Sequence, residues 1–401
     1  MPLMDHATVE VQTGDTVVRS WGNAIDADDL QTVGQLGEFG LIAELSRWLA
    51  PDRRAPDPRA LVGIGDDAAV LAAPDGRVVA TTDFLLEGRH FRRDTSSARD
   101  VGHKAAARSL ADVAAMGGVP TGLLVALAAP PDLPVSWARE LAAGLAAECA
   151  RVHPPASVVG GDTARADGVL LAVTALGDMA GRPPVLRSGA VPGDAVAVTG
   201  PLGHAAAGLA LLSAGLAGAG LPGAGLPGAS LGGDQAWASL VTAQLRPAPP
   251  YDAGPEAAAL GAHAMIDVSD GLLADLGHIA DASGVQIDVD PAAALPADHA
   301  PPLLQAARAV QTAGRNVSSG RTGRGTTPGH SDADRLARKL ARKLALHWAL
   351  TGGEDHSLVA TFPRGSALPP RWRVIGAVRD GSGVLVGHAP WAGEAGWNHF
   401  A

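Results

Sequence analysis

The sequence predicts a mixed α/β fold, of α+β character, arranged as two domains, and three observations carry that expectation. The chain has 401 residues, more than one hydrophobic core usually organises. Hydrophobic residues make up 47% and charged residues 18%, which suits large cores and excludes a disordered chain. Apolar runs of strand length alternate with longer segments of helical periodicity. The net charge of -10 argues against a nucleic-acid surface. No apolar run approaches the roughly 20 residues that span a bilayer, and the first residues carry acids where a signal peptide is basic. A cytoplasmic protein with neither membrane nor nucleic-acid partners is expected.

Taken in order, residues 1–33 are polar and irregular, and read as a loosely ordered extension. A first domain is expected over 34–185 and a second over 186–401. In the first, "GEFGLIAELSRWLA" has helical spacing, and "ALVGIG" and "RVVATTD" read as strands ending at aspartates. "DVGHKAAARSLADVAAM" reads as a helix stopped by Gly117 and Gly118, with Ala105, Ser109, Asp112 and Met116 on its inward stripe. "WARELAAGLAAECARV" carries the one cysteine, Cys149, on a stripe with Leu141 and Leu145. That setting reads as a buried, inert thiol, and a single cysteine excludes an internal disulfide or a cysteine-built zinc site.

The second domain opens at "RSGAVPGDAVAVTGPLG". Low-complexity insertions are expected near 214–234, where "GAGLP" repeats, and near 314–334. The repeat contains formal G-x-G-x-x-G matches, but each holds a proline and none joins a strand to a helix, so a surface loop is the better reading. "RLARKLARKLA" reads as an exposed helix face, and "IDVSDGLLADLGHIA" as a strand turning into an amphipathic helix.

Acids recur at the ends of the strand-like runs, beside Gly, Ser or Thr: Asp66 and Asp67, Asp83, Asp162, Asp267 and Asp270. Each alone has a local reading, with Asp66 and Asp67 as turn residues, Asp162 in an Asx-turn, Asp270 as a helix N-cap and Asp112 paired with Arg108. Two carboxylates at about 4 Å repel by roughly 4 kcal/mol at an effective dielectric near 20, and no basic residues are interleaved to neutralise so many strand-end acids. Hard divalent cations would offset them, with Thr81, Thr82 and Ser269 adding oxygens, and magnesium usually shares such carboxylates with substrate phosphates. No G-x-x-x-x-G-K-[ST] loop, kinase H-R-D or D-F-G set, or G-x-S-x-G elbow is present, so nucleotide would be held through metal ions.

The ordered motifs "GEFGLIAEL", "GIGDDAAV", "TTDFLLEGRHF", "SLADVAAMGG", "GGDTAR", "LRSGAVPGD", "IDVSDGLLADLGHIA" and "ALTGGEDHSL" resemble those of the thiamine-monophosphate kinase family, in the aminoimidazole-ribonucleotide-synthetase-like superfamily. The resemblance implies a two-domain fold whose N-terminal sheet forms a barrel across a homodimer. It also implies phosphorylation of thiamine monophosphate by ATP with several Mg2+ ions, by direct in-line transfer. On that resemblance Asp67, Thr81, Thr82, Asp83, Asp112, Asp162, Asp267 and Asp270 match metal positions, Asp112 and Asp270 being the catalytic pair. Gly161, Asp162, Arg187 and Ser269 match nucleotide contacts, and His90, Glu354 and Trp397 match contacts to thiamine monophosphate. His356 stands where the family usually has tyrosine, and Arg89 where an apolar residue is commoner, which bears on the acceptor pocket. The alternatives are another ATP-using synthetase of the superfamily, or a non-catalytic Mg-nucleotide-binding module.

Overall fold

The computed structural model describes residues 12–13, 16–17, 31–49, 59–62, 64, 68–216, 235–319 and 332–397. Strands β1 (Gln12–Thr13) and β2 (Thr16–Val17) pair antiparallel. Helix α1 (Val33–Leu49) starts earlier than its apolar spacing suggests, and Gly37, at φ 73°, interrupts it. β3 (Ala60–Val62) and β4 (Val70–Leu71) form a second small pair. Asp66 and Asp67, between them, lie outside the described residues.

The first half is a four-stranded sheet with helices on one face. In chain order it comprises β5 (Val79–Leu86), α2 (Ala98–Ala115), β6 (Val119–Ala129), α3 (Val135–Cys149), β7 (Ser157–Arg165) and β8 (Leu170–Asp178). Spatial order is β5-β8-β6-β7, antiparallel except for the β6–β7 pair. A capping box starts α2: Asp100 N–H donates to Ser97 Oγ at 3.2 Å and Ser97 N–H to Asp100 Oδ2 at 3.0 Å. Gly117, at φ 79°, ends it as the sequence suggests. On α3 the Cys149 thiol is buried among Leu141 and Leu145, and burial pushes its pKa up to about 12.

The second half is built on a seven-stranded sheet. Its elements run β9 (Ala195–Thr199), α4 (His204–Ser213), α5 (Gln235–Leu245), α6 (Ala253–Ala259), β10 (Ala264–Asp267), α7 (Leu272–Ser283) and β11 (Gln286–Val289). Then come α8 (Pro291–Ala294), α9 (Ala300–Ser319), α10 (Asp332–Thr351), β12 (Leu358–Phe362), β13 (Arg373–Arg379), β14 (Gly383–Val386) and β15 (Ala389–Pro390). Strand order is β10-β12-β9-β13-β11-β14-β15. Helices α4, α5, α9 and α10 share a separate core around Leu211, Leu240, Leu303 and Trp348. Helical backbone reaches Ser319 and resumes at Asp332, so both flanks of the segment expected to be irregular are helical. Residues 217–234 and 320–331, the rest of the two expected insertions, lie outside the described residues.

The two halves share apolar core. Met265, Leu358 and Phe362 of the second sheet join the cluster containing Leu110 and Val113 of α2. Helix α6 presses on α2 so closely that a Cβ at Gly254 would lie 2.0 Å from Ala114 O. Helix α2 is therefore fixed between the halves, with one stripe on their common cleft.

Candidate functional site

A cleft of about 870 Å³ lies between the halves, with Asp83, Asp112, Ser269, Asp270 and His356 at one end. Strand alternation turns Thr81 and Asp83 toward α2, where Thr81 Oγ1 donates to Asp112 Oδ2 at 2.7 Å and Ser109 Oγ donates to Asp83 Oδ2 at 2.8 Å. From the other half, β10 ends at buried Asp267, and the turn that follows carries Ser269 and Asp270. Asp275 Oδ2 holds that turn, accepting the backbone N–H groups of Ser269, Asp270 and Gly271 at 3.1, 3.3 and 3.1 Å.

These carboxyls crowd one another. Burial, with the charges of Asp267 and Asp83, pushes Asp112 up to about 7, against the hydrogen bond from Thr81. Burial and the charges of Asp267 and Asp270 push Asp275 up to about 8. His356 Nδ1 lies 3.0 Å from Asp267 Oδ2; burial lowers the imidazole pKa, but that contact outweighs it and the net shift is upward. Among the described residues, no group of three or more His, Cys, Asp or Glu is gathered closely enough to hold a metal ion alone. The donors are nonetheless oxygens, and their mutual repulsion is what a hard cation sharing water and phosphate ligands relieves, so they fit magnesium.

The neighbouring part of the cleft is basic. Lys104, Arg108 and Asp112 stand at intervals of four along α2, one turn apart on one face. Glu354 enters from the loop after α10: its Oε1 accepts from Arg108 Nη1 at 2.7 Å, and its Oε2 is ion-paired with Lys104 Nζ at 2.9 Å. Burial works against the ionised carboxyl, but the two cations prevail and hold it well below the usual range. The loop packs on the Asp270 turn, with Glu354 N–H donating to Ser269 O at 2.8 Å and His356 N–H to Val268 O at 2.9 Å. A Cβ at Gly353 would lie 2.4 Å from Ser269 O, so the approach requires glycine there.

The rim carries Arg89, His90, Arg92 and Trp397. His90 Nδ1 accepts Leu86 N–H at 3.0 Å, and Trp397 N–H donates to Asp270 O at 2.9 Å, which brings the chain's tail back over the acids. Trp391, earlier in the same tail, stacks on His347, with ring centroids 6.3 Å apart.

Residues 65–179 match the family model of AIR synthase related protein, N-terminal domain, and residues 191–322 match AIR synthase related protein, C-terminal domain. A thiamine-monophosphate kinase of Mycobacterium tuberculosis (strain ATCC 25618 / H37Rv) is 43% identical over 375 residues, covering 93% of this chain and 95% of the relative. The chain belongs to the thiamine-monophosphate kinase family. The thiamine-monophosphate kinase of Stenotrophomonas maltophilia K279a, a crystal structure, aligns at 32% identity and TM-score 0.63 over 87% of this chain and 96% of that one. The structure of AaThiL complexed with AMPPCP and TMP aligns at 28% identity and TM-score 0.62, over 95% and 100% of the two chains.

Set beside the family motifs, the cleft gathers Thr81, Asp83, Asp112, Asp267, Ser269, Asp270, His90, Glu354 and Trp397. It does not gather Asp162, Gly161, Thr82 or Arg187. Cross-strand register puts Phe84, Ala172, Ala126 and Asp162 in one row, and Asp83, Val173, Val125 and Gly161 in the next. Asp162 is thus three strands from β5, about 14 Å at the usual spacing, and on the face turned away from α2. It lines a second, largely apolar groove of about 980 Å³ with Gly161. Thr82 Oγ1 is on that far face too, bonded to Val173 O at 3.3 Å, which leaves only its backbone on the strand beside the acids. Arg187 is exposed on the segment between the halves, where its carbonyl accepts from Ser283 Oγ at 3.0 Å. Two expected local roles shift as well: Arg108 pairs with Glu354 and not Asp112, and Gly271, not Asp270, is the α7 N-cap, with Asp275 tying down the turn before it. Lys104, Arg108 and Asp275 were not singled out for the site, although the four-residue spacing to Asp112 was there to be read.

Proposed function

We propose that this chain transfers the terminal phosphoryl group of ATP to thiamine monophosphate, giving thiamine diphosphate by direct in-line transfer. The observation that carries the proposal is one cleft with acids at one end and the cations Lys104 and Arg108 beside them, in a chain of this family. The acceptor's phosphate, with a second pKa near 6, is already anionic at neutral pH, so no strong general base is required. What the chain supplies is alignment and charge compensation.

Asp83, Asp112, Asp267 and Asp270, with Thr81 and Asp67, are the residues that would hold Mg2+, and Thr82 would add its carbonyl. The bound cations would neutralise the donor's phosphates. Ser269 and Asp270 sit on a turn fixed by Asp275 and face the nucleotide. His90 and Trp397 border the acceptor's rings, and Asp112 and Asp270 set the approach of one phosphate to the other.

A homodimer would account for the remaining assignments. β5 and β7 are the edge strands of the four-stranded sheet, and β7 of a second copy beside β5 would bring Gly161 and Asp162 to the edge bearing Thr81, Thr82 and Asp83. Arg187 would close on phosphate from the segment between the halves. We place the enzyme in the cytoplasm; among the described residues no helix is long and apolar enough to cross a membrane.

Purified protein given ATP, thiamine monophosphate and Mg2+ is expected to release ADP and thiamine diphosphate in equal amounts, and to stop in excess EDTA. Full turnover in EDTA, or no thiamine diphosphate with any divalent metal, would overturn the proposal.

A further inference from the structure

We infer that Arg108 is the recognition residue for the acceptor's phosphate, and that Glu354 acts on that phosphate by holding Arg108 in place. The inference rests on the reading that a phosphate ester occupies the basic part of the cleft.

Three observations carry it. Arg108 lines the cleft one helical turn before Asp112, an axial rise of about 6 Å, which suits two phosphates meeting end to end. Its Nη1 is tied to Glu354 Oε1 at 2.7 Å, yet its Nε is buried and has no hydrogen-bond partner. A guanidinium is a rigid fork, so fixing one nitrogen orients the others, and a buried N–H without an acceptor is a cost that a ligand oxygen removes. The local charges also do not cancel: Lys104 and Arg108 are two cations against the one carboxylate of Glu354.

Glu354 itself is a poor phosphate contact. Both its oxygens face cations, and it stays ionised, so an incoming dianion is repelled by it and attracted by Arg108. Lys104 Nζ, 2.9 Å from Glu354 Oε2 and 3.4 Å from His90 O, then balances the carboxylate and ties it to the loop that carries His90. Charge-assisted bonds of this kind are the strong ones, and their geometry separates Arg from Lys.

The test compares thiamine monophosphate with thiamine, ligands that differ by the phosphate alone. Calorimetric titrations use the full chain with Mg2+ and a non-hydrolysable ATP analogue. Arg108→Met is expected to weaken thiamine monophosphate by about 10- to 100-fold while thiamine binding and the KM for ATP stay within about twofold. Arg108→Lys, which retains the charge, is expected to lose about 10-fold, and keeps the test decisive if the Met variant does not fold. Glu354→Gln is expected to raise the acceptor's KM more than it lowers kcat, the signature of a positioning residue. Variants at Arg108 that keep the wild-type preference for the monophosphate overturn the inference alone, because the wild type still makes thiamine diphosphate. A wild type that makes none removes both the inference and the function on which it rests.

Discussion

Replacing Asp112 with Asn should stabilise the metal-free protein and disable the enzyme, and the opposite signs make this the most informative single change. Asp112 is raised from its usual 3.8 to about 7, first by burial and then by Asp267 and Asp83. At about 1.4 kcal/mol per pH unit, keeping that carboxyl ionised costs at most about 4 kcal/mol, and relaxation of its neighbours reduces this to about 1–3 kcal/mol. A carboxyl with a raised folded pKa favours the folded state below its unfolded value, and the benefit is lost as pH rises through the folded one. The wild type in EDTA should therefore lose stability between about pH 4 and pH 7, and Asp112→Asn should lose less. The amide oxygen can still accept from Thr81, so the local hydrogen bond survives. Melts in EDTA should show the variant a few degrees higher at about pH 8 and level with wild type near pH 4. With Mg2+ and ATP the order reverses, because wild type gains more from the ligands, and variant turnover falls by about two orders of magnitude or more. A variant that melts at or below wild type at pH 8 in EDTA would refute the claim that these acids are mutually strained. Wild-type turnover would remove Asp112 from the site.

Two further changes probe the frame. Tyr251→Phe deletes a buried hydroxyl that donates to Glu148 Oε1 at 2.6 Å; Arg151 Nη1 stays 2.6 Å from that oxygen, so about 1.5–2 kcal/mol should be lost in urea unfolding with turnover unchanged. A loss below about 0.5 kcal/mol would mean that Glu148 is held without it. Gly254→Ala places a methyl 2.0 Å from Ala114 O, and should cost about 2–3 kcal/mol and lower turnover by displacing α2; an unshifted urea midpoint would show that α6 can move aside.

Strand ends and helix stripes were legible because they are local. The aspartates stand beside small residues where apolar runs stop, and the structure brings Asp83, Asp267 and Asp270 to one cleft. Asp112 and Ser109 face inward at the spacing that assigned them, and each bonds a residue of β5. Register across a sheet is not local, which is why Asp162 looked equivalent to Asp83 and lies on another face. Lys104 was passed over because a cation on an alanine-rich helix reads as solvated, and Arg108 was read as a local partner of Asp112; Glu354, some 250 residues away, pairs with both. Asp275 was hidden inside an amphipathic helix, where its role depends on the turn folding back over it.

Lys104, Arg108 and Asp112 belong to one helix, and on the inference that Arg108 seats the acceptor's phosphate this has a mechanical consequence. The spacing between that seat and Asp112 is then set by the rise of a single rigid rod. Glu354, Ser269 and Asp270 come from the other half, but the apolar core the halves share and the close seat of α6 on α2 hold that half against the rod, so the gauge is built into the packing.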